Sequence, residues 1–346
     1  MSTKQRSALS YMTIPGAAAI AAVGAAGYFA GPTMALSVAL LIILEISLSF
    51  DNAVVNAHVL QNWDEFWKKM FLGVGIIIAV FGMRFLFPIL IVSITAQLSI
   101  PDTVHLALSD HDGYAKRLNE VHYLIAAFGG SFLAMVGLTY FLDAEKDSHW
   151  LGPIERLLTK AGQIEAIAVG VALLPLLFVC SWLVEHEQLG FLMAGVMGIL
   201  TFIGSKALGT IATGGEDVGD KVVKAGIGGF LYLELLDASF SFDGVIGAFA
   251  ITTDLVWIMV GLGVGALAVR ELTILAVDRG TLQEYPHLEM GAFWAILALA
   301  GIMLVSPVFP IPEYITGLIG AIMIGAAFIT SLIANRKVIE ETMEAK

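Results

Sequence analysis

Long runs of apolar residues, separated by short polar stretches, follow one another along almost the whole chain. A helix needs about 20 consecutive, mainly apolar residues to cross the hydrocarbon core of a bilayer. We predict a spanning helix in each of ten runs: residues 13–30, 34–60, 70–94, 121–142, 162–184, 189–211, 224–251, 254–277, 291–309 and 313–334. The pattern therefore predicts an all-α, polytopic membrane helical bundle of about ten helices.

The first run is the weakest of the ten. Two basic residues, Lys4 and Arg6, precede the Ala- and Gly-rich run 13–30, an order that also begins a secretory signal peptide. A cleaved signal would end in a small-residue cleavage site and a polar segment, whereas Gly31 and Pro32 lead directly into the next apolar run. We therefore expect an uncleaved first membrane helix.

Lysine and arginine are distributed unevenly among the predicted loops. With the N-terminus inside, 14 of them fall on the cytoplasmic side, and only Lys116 and Arg117 fall outside. Because cytoplasmic loops carry an excess of basic residues, we expect an inner (plasma) membrane protein with both termini in the cytoplasm. The remaining two, Arg84 and Arg270, fall within predicted spans.

The composition agrees with a membrane protein. Of the 346 residues, 58% are hydrophobic and 14% are charged, whereas soluble domains are about 45–50% apolar and about 25% charged. The formal charge of −12 argues against nucleic-acid binding, which needs a basic face, and is compatible with attracting cations. Cys180 is the single cysteine, so no disulfide framework is possible.

The most informative polar positions lie inside two of the apolar runs. The segment 45–54 (EISLSFDNAV) is matched by the segment 237–246 (DASFSFDGVI), 192 positions later. Carboxylates are costly inside a membrane and usually mark a functional site there. The copies lie on the second and seventh predicted spans and so run in opposite directions across the membrane. Such an inverted internal repeat commonly places a transport site near the midplane.

The repeat divides the chain into six segments. We expect an N-terminal segment with the first span, a first repeat, a cytoplasmic interfacial segment, connecting membrane helices, a second repeat and a cytoplasmic tail, at residues 1–33, 34–142, 143–161, 162–223, 224–334 and 335–346. Residues 95–120 are expected to form an outer loop. The segment 143–161 predicts an amphipathic interfacial helix anchored by Trp150.

Oxygen-bearing side chains dominate both motif copies. Four acids are candidate metal ligands: Glu45, Asp51, Asp237 and Asp243. Five side chains are candidate supporting donors: Ser47, Ser49, Asn52, Ser239 and Ser241. Such hard oxygen ligands suit Mg²⁺, Ca²⁺ or Mn²⁺ and argue against Cu(I) and structural Zn²⁺. With Arg84 and Arg270 as charge-balancing residues, the four acids leave a formal charge of −2, which one divalent cation or two protons would neutralise.

A straight helix cannot aim both acids of the first copy at one point. Glu45 and Asp51 are six residues apart, which places them about 120° apart around a helix axis. In the second copy, Asp243 lies off the face that three polar residues share, namely Glu234, Asp237 and Ser241. Two facing helices, or a helix unwound near the Ser-Phe-Asp step, would bring the acids together.

Some of these acids have structural alternatives. The motif acids could form intramembrane ion pairs with Arg84 and Arg270 and bind no transported ion, although the repeated Ser-x-Ser spacing supplies polar groups that a plain ion pair does not need. Asp64 and Asp254 each follow a motif helix and precede an apolar span. We expect these two to cap helix N-termini rather than to bind metal.

The paired motifs and the later segment 269–273 (VRELT) resemble the TerC family of integral membrane proteins, in a branch labelled as a domain of unknown function. The likeness covers roughly residues 34–334. It implies membership of a LysE-like transporter superfamily, export of Mn²⁺ and a link to tellurium resistance, with the four motif acids as site residues and Asn52 as a polar helper. Gly244 replaces Asn52 in the second copy, so metal identity need not follow other members.

We therefore expect a membrane transporter of a divalent cation, with Mn²⁺ as the implied exported substrate, proton coupling, and neither enzymatic activity nor a resident cofactor. One alternative is a non-transporting scaffold that assembles a resistance or secretion complex. Another is an intramembrane protease, which is disfavoured because the Gly-bracketed aspartate of such enzymes is missing from both motifs. The sequence leaves open the oligomeric state and the choice among Mn²⁺, Ca²⁺ and Mg²⁺.

Overall fold

The computed structural model describes residues 7–143, 148–162, 166–212 and 226–344, and these residues form helices and no strands. The first half contains α1 (Ala8–Ala30), α2 (Pro32–Leu48), α3 (Phe50–Leu60), α4 (Glu65–Met70), α5 (Phe87–Thr95), α6 (Ile100–Ser109), α7 (His111–Glu120) and α8 (His122–Leu142). The second half contains α9 (Gly152–Ala161), α10 (Ile167–Cys180), α11 (Glu185–Ala212), α12 (Ile227–Ala248), α13 (Leu255–Asp278), α14 (Thr281–Glu284), α15 (Leu288–Val305) and α16 (Glu313–Glu344).

Every predicted span coincides with a helix. Seven of the described helical segments are long and apolar enough to cross a membrane, and α2 with α3 forms an eighth span that is bent by 50°. Among the described residues, the helix observed within the predicted span 162–184 is shorter than that span. Its helix α10 has 14 residues, about 21 Å of length against a hydrocarbon core of about 30 Å. The chain is a multi-pass, all-α membrane protein.

The helix that carries Arg84 contains two π-helical stretches, in which the helix is wider than an α-helix. It runs without a break from Glu65 to Thr95, and α4 is joined to α5 through π-helical turns at Phe71–Gly75 and Ile78–Leu86. Such i→i+5 turns are rare and occur frequently at functional sites. Arg84 lies in the second of these stretches and is buried.

The prediction of a loop at residues 95–120 is wrong in one respect: most of this stretch is helical and forms α6 and α7. Each helix has a local N-cap: Ser99 Oγ accepts from the N–H of Asp102 at 3.2 Å, and Asp110 Oδ1 accepts from the N–H of Gly113 at 3.0 Å. The apolar side of α7 is buried at Tyr114. Polar residues on the other face of these short helices made the stretch resemble a loop.

The predicted helix caps are confirmed. Asp64 Oδ1 accepts a hydrogen bond from the N–H of Trp67 at 3.0 Å, at the start of α4. Asp254 Oδ1 accepts from the N–H of Val256 at 3.0 Å, at the start of α13. These bonds satisfy N–H groups that have no partner within the helix.

The helix predicted within 143–161 is present as α9, although residues 144–147 lie outside the described part of the chain. It is tied to the bundle by Glu155, which is fully buried. Glu155 Oε1 accepts from Trp294 Nε1 of α15 at 2.9 Å and from the N–H of Leu151 at 3.0 Å.

The two repeats interlock. In each repeat, the helix that follows the motif helix packs against the motif helix of the other repeat. Thus α13 lies along α2, and the π-helical stretch Ile78–Leu86 lies against α12. Glycines permit the close approach of α13 to α2. A Cβ at Gly261 would lie 2.6 Å from Leu41 Cβ, and one at Gly265 would lie 2.5 Å from Glu45 Cβ. Small residues allow membrane helices to pack at this separation.

Candidate functional site

The first motif copy contains a break in its helix, whereas the second does not. Helix α2 ends at Leu48 and α3 begins at Phe50, and Ser49 between them has φ −105° and ψ 15°. The 50° bend therefore falls at Ser49, two residues before Asp51. The second copy lies within the continuous helix α12. The unwinding anticipated near the Ser-Phe-Asp step thus occurs in one repeat only.

Arg84 and Glu45 form a buried ion pair within the first repeat. The Nη2 group of Arg84 donates to Glu45 Oε1, and its Nη1 group donates to the carbonyl oxygen of Ala79 at 2.7 Å. Ser49 Oγ donates to the same carboxylate oxygen at 3.1 Å. Arg84 and Glu45 are each only 3% exposed, so the pair is buried inside the helical bundle.

Arg270 forms the corresponding cluster in the second repeat, with two acids instead of one. Its Nη2 group lies 2.6 Å from Asp237 Oδ2 and 3.2 Å from Glu234 Oε2. Its Nη1 group donates to the carbonyl oxygen of Phe71, and its guanidinium carbon lies 4.0 Å from the centre of the Phe71 ring. Glu234 was not among the predicted ligands, although its spacing of three residues from Asp237 placed it on the same helix face.

Two asparagines of α3 connect the first repeat to the second. Asn52 Nδ2 donates to Asp237 Oδ1 at 2.8 Å, and Asn56 Nδ2 donates to the same oxygen at 2.7 Å. All three side chains are buried. Asn56 was missed by the sequence analysis. The available signal was its position one helical turn after Asn52, on the same face of α3.

Asp51 differs from the other acids because no described side chain forms an ion pair with it. It is 5% exposed, and its Oδ1 accepts a hydrogen bond from the N–H of Asn52 at 2.9 Å. It lines a cavity of about 20 Å³, which we call the Asp51 cavity. Hydroxyl-bearing Ser47 and Thr316 also line this cavity. A carboxylate without a described cationic partner therefore shares a mainly apolar cavity with two hydroxyl groups.

A second cavity of about 20 Å³ lies between the two arginines, and we call it the arginine cavity. Its polar lining consists of Glu45, Ser49, Asn52, Asn56, Arg84, Asp237, Ser241 and Arg270. Phe240 lines both cavities. The consecutive residues Asp51 and Asn52 face different cavities because successive side chains on a helix point about 100° apart.

The structure does not bring all the predicted site residues together. Ser47 lines the Asp51 cavity, whereas Ser49 and Ser241 line the arginine cavity. Ser239 lines neither of them, and its hydroxyl donates to the carbonyl oxygen of Leu235 on its own helix. The side chain of Asp243 lies outside the described part of the structure. Among the described residues, no group of three or more acidic, histidine or cysteine side chains is arranged to hold a metal ion.

The charges of the described residues do not cancel. The two buried guanidinium groups pair with Glu45, Glu234 and Asp237, and Asp51 is a fourth buried carboxylate. The remaining formal charge is −2. Isolated charges in a low-dielectric interior cost much free energy unless they are paired. One divalent cation would neutralise this remainder.

Comparison with known proteins identifies the family but no characterised relative. Searches of curated proteins and of solved structures gave no match to this chain. A family model described as "Protein of unknown function (DUF475)" matches residues 50–338, which include Asp51, both arginines and the whole second motif copy, and which begin after Glu45. Because this match covers most of the 346 residues, the chain belongs to the DUF475 family.

Proposed function

We propose that this protein is a membrane transporter of a divalent metal cation. The observation that carries the proposal is Asp51, a buried carboxylate with no described cationic partner, placed at the break between α2 and α3. Transporters commonly bind their ions at broken helices within inverted repeats. A carboxylate that lacks a counter-ion in the interior of a membrane protein favours the arrival of a cation.

The charge balance supports a divalent ion. The formal charge of −2 left on the described cluster would be cancelled by one such cation, so a loaded site is neutral and can be reoriented without moving charge through an apolar interior. In this proposal Asp51 is the first ligand, with Ser47 and Thr316 as further oxygen donors of its cavity. Glu45 and Asp237 are held by arginines and would join the site only after those pairs separate.

The resemblance of the motifs to the TerC family supports the finer features of the proposal. We propose Mn²⁺ as the substrate, export from the cytoplasm as the direction, proton coupling, and an inner-membrane location with both termini inside. Carboxylate, hydroxyl and amide oxygens are ligands that suit Mn²⁺ as well as Ca²⁺ and Mg²⁺. The choice among these ions therefore has to be measured.

The test is metal flux into liposomes that contain the purified chain, with Mn²⁺, Ca²⁺ and Mg²⁺ compared under a pH gradient. We expect Mn²⁺ flux in the wild type and its loss in Asp51→Asn, which removes the negative charge and keeps the shape. Asp64→Asn is the matched control, because asparagine caps a helix as well as aspartate does and Asp64 lies outside the cluster. Wild-type flux in Asp51→Asn would refute the assignment of Asp51.

A non-transporting membrane scaffold is the second candidate, and the ion pairs favour it. Arg84 neutralises Glu45, and Arg270 neutralises one of the two negative charges on Glu234 and Asp237. Such pairing is what a purely structural role requires. This candidate predicts that replacing the acids lowers the amount of folded protein. It also predicts that folded wild-type protein moves none of the three divalent ions in liposomes, an outcome that would exclude the transporter.

A further inference from the structure

A further polar cluster lies outside the two cavities, at the end of α3. His58 Nδ1 lies 3.1 Å from Oε2 of Glu289, which belongs to the first turn of α15. The two side chains are 20% and 24% exposed. The hydroxyl of Tyr140, near the end of α8, is hydrogen-bonded to Glu289. A nitrogen and an oxygen that can each bind a metal ion therefore lie side by side near the surface of the bundle.

The contact between His58 and Glu289 is close, but it is not a hydrogen bond. His58 Nδ1 is buried and makes no hydrogen bond with the described residues, so an N–H at this atom does not point at the carboxylate oxygen. Two neighbouring ligands of one octahedral ion have this arrangement, because both point at the ion and not at each other. With metal–ligand bonds of about 2.2 Å, between those of Mg²⁺ and Ca²⁺, such ligands lie about 3.1 Å apart.

Aromatic rings fix the orientation of the imidazole. The rings of Tyr140 and Phe293 are stacked, with their centres 3.7 Å apart and their planes at 6°. The His58 ring stands nearly perpendicular to both, at 89° to Tyr140 and 87° to Phe293. Edge-to-face packing of this kind is favourable, and it holds Nδ1 beside Glu289. Binding an ion here therefore costs little ordering of the imidazole.

The local charge favours a cation. Two carboxylates besides that of Glu289, those of Asp143 and Glu155, act electrostatically on the Tyr140 hydroxyl. An imidazole binds a metal ion in its neutral form and then adds no positive charge of its own. A cation that reaches His58 therefore arrives among carboxylates.

The pair lies at one end of the helix interface that contains Asp51. Helices α3 and α15 pack against each other, and α15 contributes Ala295 to the Asp51 cavity. His58 follows Asp51 by seven residues, so it lies on the same face of α3, about 10 Å along the helix axis. Glu289 lies at the start of a membrane-spanning segment. The predicted topology places this end in the cytoplasm.

We propose that His58 and Glu289 form an entry site for a divalent transition-metal cation on its way to Asp51. An imidazole nitrogen suits first-row transition metals, whereas Mg²⁺ and Ca²⁺ take oxygen ligands, so the site favours Mn²⁺ over those two ions. Two protein ligands, with water in the other positions, hold the ion weakly, as a site that must release it again requires. Passage of the ion to Asp51 rests on the proposed function, whereas binding at His58 does not.

The experiment is pulsed electron paramagnetic resonance of Mn²⁺ bound to the purified full-length chain, in detergent and amine-free buffer, which detects ¹⁴N coupled to the ion. All chains carry Asp51→Asn, so that the Asp51 cavity does not contribute. His58→Gln removes the nitrogen ligand. His287→Gln is the matched control, because His287 lies at the same end of α15 but its Nδ1 contacts Thr330 Oγ1 at 3.1 Å. Circular dichroism verifies that the variants are folded.

We expect a ¹⁴N coupling that His58→Gln abolishes and His287→Gln retains. Loss of even an outer-shell partner weakens metal binding about 10–100-fold, so His58→Gln should weaken Mn²⁺ binding at least about tenfold. Glu289→Gln, which keeps the imidazole, should weaken it similarly and provides a second test if His58→Gln does not fold. An excess of Mg²⁺ or Ca²⁺ should leave the coupling in place.

Three outcomes would overturn the entry site: no Mn²⁺ binding to the folded chain, bound Mn²⁺ without ¹⁴N coupling, or a coupling that survives His58→Gln. Each would leave the contact between His58 and Glu289 as a structural one. Failure of the proposed function is distinguishable from these outcomes. A chain with the His58-dependent coupling whose wild type moves no divalent ion in liposomes keeps the site and overturns the transporter, whereas Mn²⁺ flux without the coupling overturns the site alone.

Discussion

The ion pair of Arg84 and Glu45 allows a sharp test of how the charges in this bundle are held. Both side chains are 3% exposed, and Arg84 also donates to the carbonyl oxygen of Ala79. Arg84→Met would leave a buried carboxylate without its counter-charge and a carbonyl without its donor. Removing one partner of a buried pair costs about 3–5 kcal/mol, whereas replacing both partners by neutral groups of similar volume is often close to neutral.

The assay is the apparent melting temperature of the purified protein in detergent, followed by circular dichroism. At an unfolding entropy of about 2.1 cal/mol/K per residue, a loss of about 3–5 kcal/mol from this 346-residue chain lowers the melting temperature by about 4–7 °C, which is the drop we expect for Arg84→Met. The double variant Glu45→Gln/Arg84→Met should recover most of this loss. If the double variant melts as low as Arg84→Met, or if Arg84→Met melts like the wild type, then the free energy does not lie in the charge pair and the reasoning fails.

Three further predictions follow from single contacts. A Cβ at Gly75 would overlap the guanidinium of Arg270, whereas a Cβ at Gly82 would lie 3.6 Å from its nearest neighbour, Ile78. In chemical denaturation, Gly75→Ala should therefore destabilise the protein by about 1–3 kcal/mol, and Gly82→Ala should not. Loss of the Asp64 cap in Asp64→Ala should cost about 1 kcal/mol, and Asp64→Asn should restore it in the same assay. Burial lowers the pKa of His287 in the folded chain, so as the pH falls the unfolded chain binds a proton at this histidine before the folded chain does. The stability of the protein should therefore fall as the pH drops through the ordinary histidine range near 6.5. Melting curves at several pH values should show a smaller fall in His287→Gln.

The sequence determined those features that depend on local pattern. Each apolar run became helical because a helix satisfies its backbone hydrogen bonds within its own segment, as a membrane interior requires. The length and apolarity of the run, both readable from the sequence, decide whether that helix can span. The caps at Asp64 and Asp254 were predictable because a cap bonds to N–H groups two or three residues away. The duplicated motif was visible because the repeat is written in residue identity and spacing.

Only the tertiary structure decided the partners of the buried charges. Arg270 serves both Glu234 and Asp237, and Asn56 reaches Asp237 from a helix 181 positions earlier in the chain. Nor did the sequence show that Asp51 and Asn52 line separate cavities that share Phe240. Periodicity places a side chain on a face of its own helix, but the interlocking of the two repeats determines which distant side chain meets that face. It therefore also determines which carboxylates have a cationic partner among the described residues and that Asp51 has none.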